Sequence, residues 1–287
     1  DINDKDVNLF FVNGVLDQNY VDLNNSHNGL EIFSMRDEVG PNQFWVQRFY
    51  GELESVSHEK VSRPLAALNT ACASEGLFIR VTEKFNKRLI IHYIGEELNS
   101  DSFIHNLIKL EENTNLTLIE RGEGSFRINK LTEIDLLPYA HLSHIRYFGK
   151  NIFADVLNQV FVRQAKKSYY NQFSLVVNNK FIRNECHVSL EGEEAKVSLS
   201  GANLGNESNI QDDTIFIAHL KRDCESRQVF KKVLKENATG VFQGKIYVTS
   251  EAQKTDGYQI SKGLLIGNES RFLTKPELEI YADDVIC

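Results

Sequence analysis

The sequence predicts an all-β protein whose many short strands wind as a solenoid or stack as a sandwich. Three observations carry that class. Apolar runs of strand length recur from Leu77 to the end of the chain, each bounded by Asn, Gly, Asp or Glu-Glu. Inside the runs the pattern alternates, so that Cys186, Val188 and Leu190 take one face while His187, Ser189 and Glu191 take the other. Only four prolines occur and no helices separate the runs, which argues against alternating strands and helices.

The chain opens with a strand, Val7 to Val12, turned by Asn13-Gly14, a pair that tolerates positive φ. A second short strand lies near Gly29 to Phe33. The one convincing helix runs from about Ser62 to Glu75, capped by Ser62, with Pro64 in its first turn and Gly76 to end it. Its residues Leu65, Leu68 and Cys72 share one face and are expected in the core. Residues 1–76 thus form a mixed strand and helix segment, and residues 77–287 a β core.

The core runs are Leu77–Val81, Leu89–Ile94, Leu107–Leu110, Leu116–Ile119, Phe126–Ile128, Ile145–Phe148, Val160–Val162 and Leu175–Val177. They continue as Val188–Leu190, Val197–Leu199, Ile215–Ala218, Ile246–Val248, Leu264–Ile266 and Leu278–Ala282. Asn113, Asn115, Asn129, Asn178, Asn179 and Asn184 stand near corners and favour a solenoid, since Asn accepts left-handed geometry and can stack between coils. No fixed repeat emerges, so the sandwich stays open. Arg222 to Glu236 reads both ways, because Val229 with Val233 and Phe230 with Leu234 also fit a helix.

With 41% hydrophobic and 25% charged residues the chain has a globular composition. A net charge of −8 argues against nucleic-acid binding. No apolar run reaches the roughly 20 residues of a membrane helix. The doublets Lys166-Lys167 and Lys231-Lys232 read as solvated surface. Cys72, Cys186, Cys224 and Cys287 lie far apart without a CxxC pair, which disfavours a disulfide framework or a structural zinc site and points to a reducing cytoplasm.

Phosphate-loop, dinucleotide and zinc-hydrolase motifs are absent, so ATP binding by this chain is not expected. His141 and His144 would share a helix face, but on a strand they point apart. His219 and Cys224 are near enough to meet around a corner. Asp212-Asp213 and Asp283-Asp284 raise the alternative of a carbohydrate-active β-helix enzyme, yet each pair offers one outward carboxylate and reads best as a solvated corner. Cys287 follows the acidic step Asp283-Asp284 outside any apolar stripe, where a thiolate could ligate iron or accept sulfur.

The run from Val241 to Cys287 holds VFQGKIYV, AQKTDGYQISKGLLIG and KPELEIYADDVIC. Upstream stand Arg183-Asn184-Glu185, Leu190-Glu191-Gly192, Ala195, His219 and the step Ser226-Arg227-Gln228-Val229-Phe230-Lys231. Together these resemble the SufD branch of the SufB/SufD family of iron–sulfur cluster assembly proteins. The ADDV-x-C form separates it from SufB, which carries an E-H-E-A-T sequence there. The resemblance implies a right-handed parallel β-helix and a non-catalytic scaffold of the SufBCD complex. It implies pairing with SufB, and contact with the ATPase SufC through a C-terminal helical region this chain lacks. It further implies a transient iron–sulfur cluster where SufB and SufD meet, with Cys287 as the residue to carry over. The family's motif continues past that cysteine as Ser-His-Gly, and its histidine is the main implied ligand. A homodimer of the isolated subunit is a further expectation, and a purely structural solenoid stands as an alternative to the scaffold.

Overall fold

The computed structural model describes residues 6–17, 28–37, 40, 44–56, 62–95, 101–149 and 153–286. The chain begins with β1 (Val7–Val12), β2 (Val15–Leu16) and β3 (Leu30–Ser34), then three short helices, α1 (Phe44–Phe49), α2 (Glu52–Ser55) and α3 (Pro64–Cys72). Among the described residues every later element is a strand. They are β4 (Leu77–Val81), β5 (Arg88–Ile94), β6 (Asp101–Leu110), β7 (Asn115–Arg121), β8 (Arg127–Leu136), β9 (His141–Gly149), β10 (Asp155–Gln164) and β11 (Tyr169–Val177). The series ends with β12 (Phe181–Leu190), β13 (Lys196–Gly205), β14 (Ile210–His219), β15 (Glu225–Lys235), β16 (Thr239–Val248), β17 (Thr255–Ile266), β18 (Arg271–Ile280) and β19 (Val285–Ile286).

From β4 onward successive strands fall alternately into two sheets. One has the order β19-β17-β15-β13-β11-β9-β7-β5-β1-β2 and the other β18-β16-β14-β12-β10-β8-β6-β4-β3, so that β2 lies beside β1 and β3 beside β4. Pairing is parallel except at the N-terminal end, where β1–β2 and β3–β4 are antiparallel. The result is a β-solenoid of about seven turns, and the sandwich alternative falls because facing sheets of hairpins would be antiparallel. Register partners Asp101, Arg127, Asp155, Phe181, Ile210, Thr239 and Arg271 step along the chain by 26, 28, 26, 29, 29 and 32 residues. A coil that varies this much leaves no fixed sequence repeat.

The turn at Asn13-Gly14 has φ of 50° and 82°, as its residue types demand. One corner of the solenoid repeats a left-handed residue, Asn113, Tyr139, Lys167, Glu194, Asp223 and Lys254, each with φ near 60°. Their amides climb the corner as a ladder, bonding Pro138, Lys166, Glu193, Arg222, Gln253 and Asp284 carbonyls at 2.6–3.2 Å. Non-glycine residues hold this conformation because the next coil satisfies their backbone. Of the asparagines singled out, Asn113 and Asn178 are left-handed, while Asn184 stacks in the lumen, accepting from Asn158 at 3.1 Å.

The helix α3 corrects the expectation on two counts. It spans Pro64–Cys72, with Arg63 rather than Ser62 at the N-cap and Ala73 at the C-cap. Leu65 (50% exposed), Leu68 (42%) and Cys72 face outward; the buried face is Ala66 and Asn69. Small side chains let the helix lie close to the sheet, where Asn69 donates to the Ile104 and Asn129 carbonyls at 3.2 and 2.7 Å. Glu133, buried on the same outer sheet face, accepts from the amides of Gly51, Leu53 and Glu54 at 2.6, 2.6 and 3.1 Å, and so fixes α2. Phe78 and Leu107 of that sheet pack with Val46 and Phe49 of α1.

Strand β15 resolves the Arg222–Glu236 ambiguity. A spacing of four is a multiple of two, so Phe230 and Leu234 share a strand face as readily as a helix face. Ser226, Gln228, Phe230, Lys232 and Leu234 all point into the lumen. Lys232 is therefore 2% exposed, against its reading as solvated surface, while Lys231 is exposed.

Candidate functional site

The main hydrophobic cluster fills the lumen from Val7 to Phe242, and the last coil breaks the pattern. Leu234 and Ile246 on the penultimate coil are 0% and 1% exposed, whereas their register partners Leu265 and Leu278 are 47% and 57% exposed. Leu264, Ile266, Leu273, Tyr281 and Ile286 are exposed alongside them. Strand β18 is an edge of its sheet, and among the described residues β17 is paired outward only at Thr255 and Asp256, by β19. Among the described residues, the outer backbone groups of β18 and of most of β17 have no strand beside them. Pro276 sits in β18, where it removes one amide from an edge.

The KPELEIYADDVI segment shapes this end. Lys275 pairs with Glu277 at 2.7 Å, Lys245 with Glu279 at 2.9 Å, and the Tyr281 hydroxyl donates to Glu279 at 2.8 Å. Ala282 tucks in with Ile246, Val248 and Ala252 and closes a small terminal cluster. Asp283 and Asp284 form the exposed bend that the sequence predicts, pinned by Asp284 N to Gln253 Oε1 at 3.0 Å and Lys254 N to Asp284 O at 2.6 Å. Strand β19 follows and returns the chain to the open edge beside Thr255. Cys287, the metal-site residue expected from sequence, lies outside the described residues.

The other candidates are dispersed by strand geometry. On β9, His141 is exposed and His144 is buried in the lumen, so the two rings do not meet. His219 bonds Ser226 Oγ at 2.9 Å rather than Cys224, whose thiol donates to Gly192 O at 3.2 Å. Burial pushes His219 down to about 4 and Cys224 up to about 11. Asp212 and Asp213 point to opposite faces as expected, yet they sit mid-strand in β14 and neither is a solvated corner. Asp212 lies 3.4 Å from Arg183, and Asp213 is buried against Lys232 in the lumen. Among the described residues no group of three or more His, Cys, Asp and Glu is arranged to hold a metal ion.

The polar lumen itself was missed from sequence. Glu120 accepts from Tyr93 Oη at 2.7 Å, Lys130 Nζ at 2.8 Å and His144 Nε2 at 2.9 Å. Burial alone would raise its carboxyl, but Lys130 and His144 outweigh that and hold it well below the usual range. Burial lowers His144 against the opposing pull of Glu120, and its Nδ1 lies 3.0 Å from Tyr170 Oη. Asp213 also accepts from Asn184 at 3.1 Å and Asn203 at 2.9 Å. The available signal was phase: Arg146 stands in step with Leu142 and Phe148, and Asp213 in step with Ile215 and Ile217.

Residues 93–287 match the family described as SUF system FeS cluster assembly, SufBD core domain. The chain is 29% identical over 197 residues to the iron-sulfur cluster assembly protein SufD of Escherichia coli, covering 67% of this chain and 46% of that protein. It is 28% identical over 159 residues to the SufBD family protein slr0076 of Synechocystis, covering 55% and 35%. It is also 28% identical over 188 residues to the chloroplastic protein ABCI7 of Arabidopsis thaliana, covering 63% and 39%. It spans less than half the length of each of these relatives. No helix among the described residues is long and apolar enough to cross a membrane. With the family match extending over more than half of its length and the solenoid wound through the same region, the chain belongs to the SufBD family of iron–sulfur cluster assembly proteins.

Proposed function

We propose that this chain is a non-catalytic, cytoplasmic scaffold subunit for iron–sulfur cluster assembly, pairing through its last coil with the β-helix of a SufB subunit. The observation that carries this reading is the match of residues 93–287 to the SufBD core, wound as one parallel solenoid whose last strands hold the KPELEIYADDVI segment. A partner's coil would pair with those strands and bury Leu265 and Leu278. The ATPase SufC would engage a helical region C-terminal to Cys287, and its ATP cycle would flex the junction. Cys287 would offer a thiolate to the nascent cluster, the cargo of the complex, at that junction. Without SufB, the same edge would support a homodimer.

Co-purification of the full-length protein with SufB and SufC, followed by anaerobic iron and sulfide analysis, tests the reading. A stable complex that retains iron and sulfide is expected, and failure to assemble refutes it. Leu278→Lys is expected to weaken pairing at least about tenfold, or ~1.4 kcal/mol, because it charges the seam. Cys287→Ser should leave the complex intact and lower its iron and sulfide content; unchanged content would remove Cys287 from the site.

A further inference from the structure

The lumen holds more positive than negative charge. The inner faces of β5–β16 bury three cations, Lys130, Arg146 and Lys232, against two carboxylates, Glu120 and Asp213. Of the other buried carboxylates, Glu75 bonds Leu16 N and Arg36 near the N-terminal end, and Glu123 accepts from Asn179 at a corner. Both carboxylates are committed, Glu120 to Lys130, His144 and Tyr93, and Asp213 to Lys232 and two asparagines. Arg146 stands in register with Glu120 on the preceding coil, yet that carboxylate bonds Lys130, His144 and Tyr93 and takes nothing from Arg146 Nε or Nη1. Arg146 is 1% exposed, and its Nε and Nη1 have no hydrogen-bond partner. Its register neighbour on the next coil, Ser174, is fully buried and its Oγ is likewise unpartnered.

A guanidinium cannot shed its proton, so burial cannot neutralise it as it would a lysine. The Phe148 ring, 6.0 Å from its Cζ, offers only a weak counterfield. Cys186, on the facing sheet, does not supply the missing charge: burial raises its thiol to about 12, against the opposing pull of Arg146. Water could satisfy the vacant donors but would leave the charge unbalanced.

We propose that the lumen beside Arg146 binds a small monovalent anion, gripped by Arg146 Nε and Nη1 with the Ser174 hydroxyl as a further donor. Coils stacked about 4.8 Å apart favour an ion of halide size over a bulky oxyanion. Chloride and hydrosulfide share this charge and size. The site is separate from the open edge, so it stands or falls independently of SufB pairing.

The test is crystallography on the full-length protein purified in bromide, with anomalous data at the bromine edge. A peak within hydrogen-bond reach of Arg146 Nε and Nη1, about 3.3 Å, is expected. Water alone at that place, or bromide confined to surface lysines, overturns the proposal. In solution, the urea midpoint of the wild-type protein should rise with bromide when gluconate at equal ionic strength does not raise it. Arg146→Met should lose both the peak and the rise; an equal rise in this variant overturns the site. Anaerobic addition of hydrosulfide to the bromide-loaded protein distinguishes the two ions. Loss of the bromine peak supports the site with hydrosulfide as a competitor, and its persistence supports a halide-selective site.

Discussion

Replacing Glu120 by Gln tests whether the lumen network is a set of real ionic contacts. Glu120 is 2% exposed and accepts three hydrogen bonds of 2.7–2.9 Å, two of them from Lys130 and His144. An amide preserves the shape, but turns one acceptor into a donor facing donors and leaves Lys130 without its countercharge. Breaking a buried pair in this way costs about 3–5 kcal/mol. At about 2–4 °C per kcal/mol for a chain of this order of length, the melting temperature should fall by about 10 °C. Removing both charges, as in Glu120→Gln with Lys130→Met, should recover most of the loss, since an apolar replacement avoids the desolvation of either ion. The assay is chemical denaturation of the single and double variants, run beside the wild type at several pH values. Because the Glu120 carboxyl is held below its ordinary value of 4.5, its contribution is complete above that pH and is lost as pH falls through the lower folded value. The gap between wild type and Glu120→Gln should therefore narrow below pH 4.5. A single variant within about 1 kcal/mol of wild type, or a double variant no better than the single, would refute the reasoning.

Further expectations follow from individual contacts. His219 is fully buried and lowered from 6.5 to about 4, so the unfolded chain binds its proton first and stability falls as pH drops between those values. His219→Gln should relieve about 2 kcal/mol of the loss between pH 7.5 and 5, measured by urea midpoints. Asn69→Ala should cost about 2 kcal/mol by stranding the Ile104 and Asn129 carbonyls. Leu65→Ser, on the outward face of α3, should stay within about 0.5 kcal/mol in the same denaturation assay. Gly76→Ala would place a Cβ 1.8 Å from the His105 carbonyl oxygen, and should destabilise by about 3 kcal/mol or more by thermal denaturation.

Much of the solenoid was legible because its strands obey a simple alternation. Every apolar run from Leu77 to Ile266 overlaps a strand; the first coincides with β4, and from β5 onward the strands are longer than the runs. Val160–Val162 marks only the middle of β10, because Asn158, Gln159 and Gln164 are buried polar residues within the same strand. The lumen's polarity thus shortened the visible signal and also hid Lys232 and Asp213. Residue type alone assigns a lysine to water, and only its phase with Phe230 and Leu234 says otherwise. For α3 the error ran the other way. Its apolar stripe points outward because the sheet takes a helix whose inner face is small and amide-bearing. The terminal coil was legible as a motif, and its exposure was not, since exposure depends on what the next coil covers.

The short step between register partners has a consequence for how the chain comes into being. From β6 onward each parallel strand finds its template in a segment made only 26–32 residues earlier, so loop closure costs nearly the same for every later turn, whereas β5 pairs with β1 from 82 residues before it. At a synthesis rate of about 5–20 residues per second, a full turn leaves the ribosome every few seconds, long compared with the microseconds a strand pair needs to form. Winding can therefore keep pace with translation, starting from the strands near the N-terminus. The nascent protein would then present one growing edge at a time instead of a long unfolded tail.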